Sequence, residues 1–62
     1  MCEANAYLRQ DNKEELLLED VDKVVPKDDY LELENIFGVR KIIKGMIREM
    51  HLVEHKIIIE KA

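Results

Sequence analysis

Residues 2–9 alternate along the chain, with Cys2, Ala4, Ala6 and Leu8 on one side and Glu3, Asn5, Tyr7 and Arg9 on the other. A period of two predicts a strand with one buried face. Gln10-Asp11-Asn12-Lys13 reads as a turn. The run Glu15-Leu16-Leu17-Leu18-Glu19 is short, apolar and bounded by charge, which fits a strand or a single helical turn. Val21, Val24 and Val25 lead to Pro26, and the backbone before a proline favours the extended state. Pro26-Lys27-Asp28-Asp29 then supplies a turn. Tyr30–Glu34 alternates again, with Leu31 and Leu33 expected inward. Phe37-Gly38 interrupts the pattern, Gly38 being free to take a positive φ. Three consecutive isoleucines in Lys56–Glu60 predict a strand, entered through a turn at Glu54-His55.

Residues 39–50 carry two patterns at once. Ile42, Ile43, Met46, Ile47 and Met50 follow the spacing of an amphipathic helix, and the pattern alone leans that way. Gly45 opposes it, costing about 0.8–1 kcal/mol against Ala inside a helix. Read as a strand, the segment puts Val39, Ile43 and Ile47 on one face and makes Gly45 a bulge or bend. The remaining segments are short strands with turns every 8–12 residues, the signature of a small β-sandwich or barrel.

Composition narrows the class. Sixty-two residues make one small domain over 1–62, and such a chain buries only about 60% of the surface its unfolded form exposes. One cysteine cannot form an internal disulfide, so a two-fold symmetric homodimer is the expected stabiliser. Residues 1–10 do not form the apolar run of a secretory signal, and no stretch reaches the ~20 apolar residues of a membrane span. A single unpaired thiol fits a reducing compartment, so the expected location is cytoplasmic. The net charge of −4 argues against nucleic acid as a partner, because phosphate neutralisation dominates that kind of affinity. The chain has no Ser or Thr, and Gly38 and Gly45 cannot build a phosphate loop. An enzyme is not expected.

The chemistry concentrates at Met1-Cys2, which puts the sole thiol beside the α-amino group. With Met1 retained, its amine, the Cys2 peptide nitrogen and the Cys2 thiolate form two fused chelate rings. With Met1 removed, the Cys2 amine and thiolate remain and the Glu3 amide nitrogen can join. Such nitrogen–sulfur donors suit square-planar Ni(II) or Cu(II) better than Mg or Ca. The thiolate is the ligand, so binding should release protons and weaken as pH falls. His51 and His55 lack the further partners of a zinc site and read as exposed residues near a turn. Met46 and Met50 read as packing residues. Arg40, Lys41, Lys44 and Arg48 form a basic cluster. As a strand, it would offer a 40–48 stripe to RNA, with Tyr7, Tyr30 or Phe37 as stacking surfaces; the ordinary reading is a solvated face paired with acids.

MCEANAY, ELLLEDVDKV, NIFGVRK and GMIREMHLVEHKIIIEK, in that order, resemble the CooT-type family, very short proteins that include the nickel accessory protein of carbon monoxide dehydrogenase. The resemblance covers nearly the whole chain, and its most diagnostic element is Met1-Cys2 with Ala4 close behind. It implies a small all-β homodimer, here expected as an SH3-like barrel of short antiparallel strands with 39–50 extended. It also implies one Ni(II) bound through the N-terminal cysteine, which is Cys2, and a recipient nickel enzyme as partner. The expected site is therefore Cys2 with Met1 and Glu3, at or near the dimer interface. Some members of the family are described as RNA-binding proteins, which keeps the basic stripe as the alternative.

Overall fold

The computed structural model describes residues 3–61, and these form six strands and no helix. The strands are β1 (Ala4–Gln10), β2 (Lys13–Pro26), β3 (Leu31–Asn35), β4 (Arg40–Ile43), β5 (Gly45–His51) and β6 (Lys56–Lys61). They make one sheet in the order β4-β3-β2-β1-β6-β5. The leucine run 15–19 is extended and lies inside β2.

Local chemistry fixes the hairpins. Asp11 and Asn12 both have positive φ, 53° and 65°, between the paired residues Gln10 and Lys13. Two left-handed residues give a turn whose twist matches that of the strands it joins, and Asp and Asn tolerate it better than most side chains. Lys27 N–H donates to the Tyr30 carbonyl at 2.8 Å, closing the turn after Pro26. At the β3–β4 tip Asn35 Oδ1 accepts from the N–H of both Phe37 and Val39, each at 2.9 Å. Gly38 takes φ 86° there, as expected of it.

β2 is the long element, and it serves two neighbours in turn. Its first half pairs with β1 and its second half, from Val21, pairs with β3. Between them Asp20 adopts φ 56°, and its N–H donates to Asn5 Oδ1 at 3.2 Å. Register shifts flank this point on both ladders. Bulges of this kind increase local twist, and the sheet rolls accordingly. Leu31 and Leu33 of β3 reach the same core as Ile57 and Ile59 of β6, although two strands separate β3 from β6 in the sheet. Ala6, Leu18 and Val21 complete the buried cluster. Ile58, on the opposite face, is also fully buried, beside its cross-strand neighbours Tyr7 and Glu49.

The expected closed, all-antiparallel barrel is corrected on two points. The roll is open, because no ladder joins β4 to β5. Only Lys44 separates those strands, so they follow one another along one bent line, and no turn is available to fold them side by side. In addition, β1 and β6 pair in parallel, Asn5 opposite Lys56 through Arg9 opposite Glu60. Residues 39–50 are not helical. Ile43 and Ile47 pack on the core while Ile42, Met46 and Met50 are each more than half exposed, so the two methionines are not core packing. Gly45 opens β5 and the bulge falls instead at Arg48, between Ile47 and Glu49.

Candidate functional site

The start of β1 lies against the tip of the β5–β6 hairpin. Parallel pairing of β1 with β6 brings the first described residues to the turn at 52–55. Asn5 N–H donates to the His55 carbonyl at 2.9 Å, and His55 Nδ1 lies 3.0 Å from the Glu3 carbonyl oxygen. A carbonyl only accepts, so the ring proton sits on Nδ1. In the neutral ring Nε2 then keeps its lone pair, available to an acceptor role or to a metal. His55 itself has φ 56°, the left-handed conformation that turns the chain back into β6.

Beside this contact is a groove of about 480 Å³, lined by Ala4, Val21, Val24, Met50, Leu52 and Ile57 together with His51 and His55. The bulge at Arg48 explains Met50. One extra residue shifts the alternation, so Met50 pairs with inward-facing Ile57 and lies on the groove side of β5. Leu52 and Val53 at the hairpin tip are largely in water, Val53 at 94% exposure.

His51 has different surroundings. Its Nε2 is 2.9 Å from Glu49 Oε1 and its Nδ1 is 3.7 Å from Glu54 Oε1. The hydrogen bond from His51, and behind it the charge of Arg9, holds the Glu49 carboxyl below its ordinary range. Glu49 belongs to a network across the outer face. Arg9 bridges Glu14 at 2.8 Å and Glu49 at 3.4 Å, and Lys56 meets Glu14 at 2.9 Å above the Tyr7 ring, its Nζ 5.0 Å from the centroid. Arg9 and Lys56 together lower the Glu14 carboxyl.

Of the expected site residues, Met1 and Cys2 lie outside the described residues. Glu3 is half-buried and tied to His55 through its carbonyl. Among the described residues no three His, Cys, Asp or Glu side chains gather as a ligand set. His51 and His55 are exposed and lie at the 52–55 turn, as the sequence suggests, but the contact of His55 with Glu3 is not legible there. That contact spans 52 positions and comes from a parallel pairing that no short-range pattern signals. The basic 40–48 stripe is divided, with Arg40 on β4, Lys44 between strands and Arg48 on β5. Arg40 pairs with Glu34 at 3.8 Å and Arg48 with Glu60 at 3.2 Å, the ordinary reading of such a run. Tyr7 lies under Lys56. No helix among the described residues is long and apolar enough to cross a membrane.

Comparison with known proteins gives two findings. The family described as "CO dehydrogenase accessory protein CooT" matches residues 1–60. A crystal structure of a CooT candidate from Carboxydothermus hydrogenoformans is similar with 51% identity and a TM-score of 0.93, covering 98% of each chain. No curated protein matches the chain in sequence.

Proposed function

Because this chain belongs to the CooT family of CO dehydrogenase accessory proteins, we propose that it carries Ni(II) on the Cys2 thiolate and passes it to carbon monoxide dehydrogenase or a related nickel enzyme. The family description is that of an accessory protein and not of an enzyme. Nickel is the cargo. The observation that supports a site at this end of the chain is the His55–Glu3 hydrogen bond. Cys2 is bonded to Glu3, so peptide geometry keeps the two α-carbons about 3.8 Å apart. Tethering Glu3 to the hairpin tip therefore limits how far the thiolate can travel from that tip.

That arrangement suits transfer. Structural metal sites are closed, whereas sites that exchange ligands keep a position open. The nitrogen–sulfur donors of Met1, Cys2 and Glu3 can hold nickel and leave room for an incoming ligand. A homodimer completes the reading. Met50 and Leu52, both more than half exposed, give the N-terminal groove an apolar border that a second copy would cover. Two N-termini near the symmetry axis would then share one metal between two Cys2 thiolates. The compartment is a reducing one, cytoplasmic, which keeps the thiol free.

The test is a nickel titration followed by absorbance, run on the wild type and on Cys2→Ser, with metal counted per chain. A thiolate-to-nickel charge-transfer band that saturates at one metal per two chains and vanishes in C2S is the expected result. One metal per chain with C2S binding normally overturns the shared site. Wild-type protein that ignores Ni(II) at neutral pH, with its thiol reduced, overturns the carrier reading altogether.

A further inference from the structure

The first half of β2 is an edge. From Lys13 to Glu19 it has β1 on one side and, among the described residues, no strand on the other, because β3 pairs only from Val21 onward. The last main-chain link across that side is Ile36 N–H to the Asp20 carbonyl at 3.0 Å. Alternate peptide groups of an edge strand point outward, so the edge presents main-chain donors and acceptors ready for another strand.

The β3–β4 tip runs alongside. Phe37, the only phenylalanine of the chain, is 76% exposed, and Val39 and Leu16 are about half exposed. Together with the leucines of β2 they border a groove of about 410 Å³. The tip is held firmly. Besides the two bonds to its side chain, the Asn35 N–H donates to the Val39 carbonyl at 2.9 Å and the Gly38 N–H to the Asn35 carbonyl at 3.1 Å. Four hydrogen bonds around one asparagine thus fix an aromatic ring in water next to unpaired main chain. Glu19 and Asp20 lie in the same groove, and Glu15 is on the same strand.

We propose that this edge takes up an extended segment of another protein, rich in Lys or Arg and apolar at alternate positions, which adds a strand to β2 and seats an apolar side chain against Phe37. Unpaired peptide groups call for an extended chain, the Phe37–Leu16 surface calls for an apolar side chain, and the acids call for cations. A second copy fits badly. In the antiparallel register that aligns the three leucines, Glu15 would face the mate's Glu19 and Glu14 its Asp20, on a chain of net charge −4. Like charges directly opposite destabilise a strand pair. The site is remote from the metal reading in its chemistry and does not depend on it.

The probe is a blocked decapeptide alternating Lys and Val, added to the full chain and followed by amide hydrogen exchange and chemical shifts. Exchange should slow along Lys13–Glu19 and the Phe37 signals should move. Two comparisons give the proposal its force. The same peptide N-methylated at alternate residues keeps its charge but loses its donors, and should bind at least tenfold more weakly. Phe37→Ser should bind the unmethylated peptide at least tenfold more weakly with unchanged circular dichroism, while C2S should bind it as wild type does. Equal binding of the methylated peptide reduces the effect to bulk charge and overturns the proposal. So do perturbations confined to β4 or β5, and so does a dimer that dissociates in F37S, which would make a second copy the occupant.

Discussion

Gly45→Ala tests the packing of the rolled sheet at a single atom. Gly45 pairs with Lys61, and a methyl at its α-carbon would press into the Glu60 carbonyl oxygen, 3.2 Å from the carbonyl carbon and 3.3 Å from the Lys61 α-carbon. All three are backbone atoms of β6, so no side chain can swing away. Either β5 lifts from β6 or β6 shifts within the core that holds Ile57 and Ile59. Overpacking of this kind costs about 1–3 kcal/mol, while replacing Gly inside a strand recovers about 0.5–1 kcal/mol. Because the methyl meets only backbone, the upper part of that range, about 2–3 kcal/mol, applies, and the net expectation is a loss of about 1–2.5 kcal/mol. For a domain of this size that lowers Tm by about 4–20 °C, at 4–8 °C per kcal/mol. The assay is thermal unfolding by circular dichroism at one fixed protein concentration, since association makes Tm concentration-dependent. Gly38→Ala is the comparison, because nothing lies within 4 Å of its added methyl and only its φ of 86° opposes it. A G45A protein that melts within a degree of wild type would refute the close approach of β5 to β6.

Three further outcomes follow from named contacts. Asn35→Ala removes both acceptor bonds to Phe37 and Val39 and should cost about 1–2 kcal/mol in urea unfolding, by analogy with the loss of a helix cap. Ile59→Ala, at a fully buried core position, should cost about 2–5 kcal/mol, which in so small a domain shows as a largely unfolded chain in one-dimensional NMR. Arg9 and Lys56 depress the Glu14 carboxyl below its ordinary 4.5, so its contribution is complete above that value and lost as pH falls through the lower folded-state value. Thermal scans from pH 6 down to pH 3 should therefore show Tm falling, with a shallower fall in Glu14→Gln; identical slopes would remove the network from the account.

How much of this fold can be read in the chain depends on whether the signal is local. The alternation of Ala4, Ala6 and Leu8, of Leu31 and Leu33, and the isoleucines of β6 all report buried faces, and Asn12, Gly38 and His55 fall in turns where their composition puts them. The 39–50 segment misleads for a physical reason. Ile42 and Met46 are apolar but face water, so their spacing does not trace a core, and residues four apart share a face of a strand as readily as of a helix. The rolling of the sheet depends on Asp20 in a left-handed conformation and on Asn5 reaching it across the hairpin. An Asp between Glu19 and Val21 gives no warning of that. The open seam between β4 and β5 follows from a one-residue connection, which could have been read from the sequence only after both strands were known.

The site is legible in its chemistry and hidden in its assembly. Cys2 stands out in the sequence, but the partner that restrains its neighbour is His55, 52 positions from Glu3, and that link yields a last prediction. His55→Asn keeps a residue that tolerates the left-handed φ of 56° while removing the ring that reaches the Glu3 carbonyl. If the ring acts only as a tether, losing one hydrogen bond of about 0.5–1.5 kcal/mol should weaken nickel binding about two- to tenfold, measured by competition with a chelator of known affinity. The charge-transfer band should then keep its position, because the ligands are the same. A shifted band with a loss beyond about a hundredfold, more than an outer-shell contact usually contributes, would show that the Nε2 lone pair is itself a ligand. Unchanged affinity would separate His55 from the metal site altogether and leave it as the residue that turns β5 into β6.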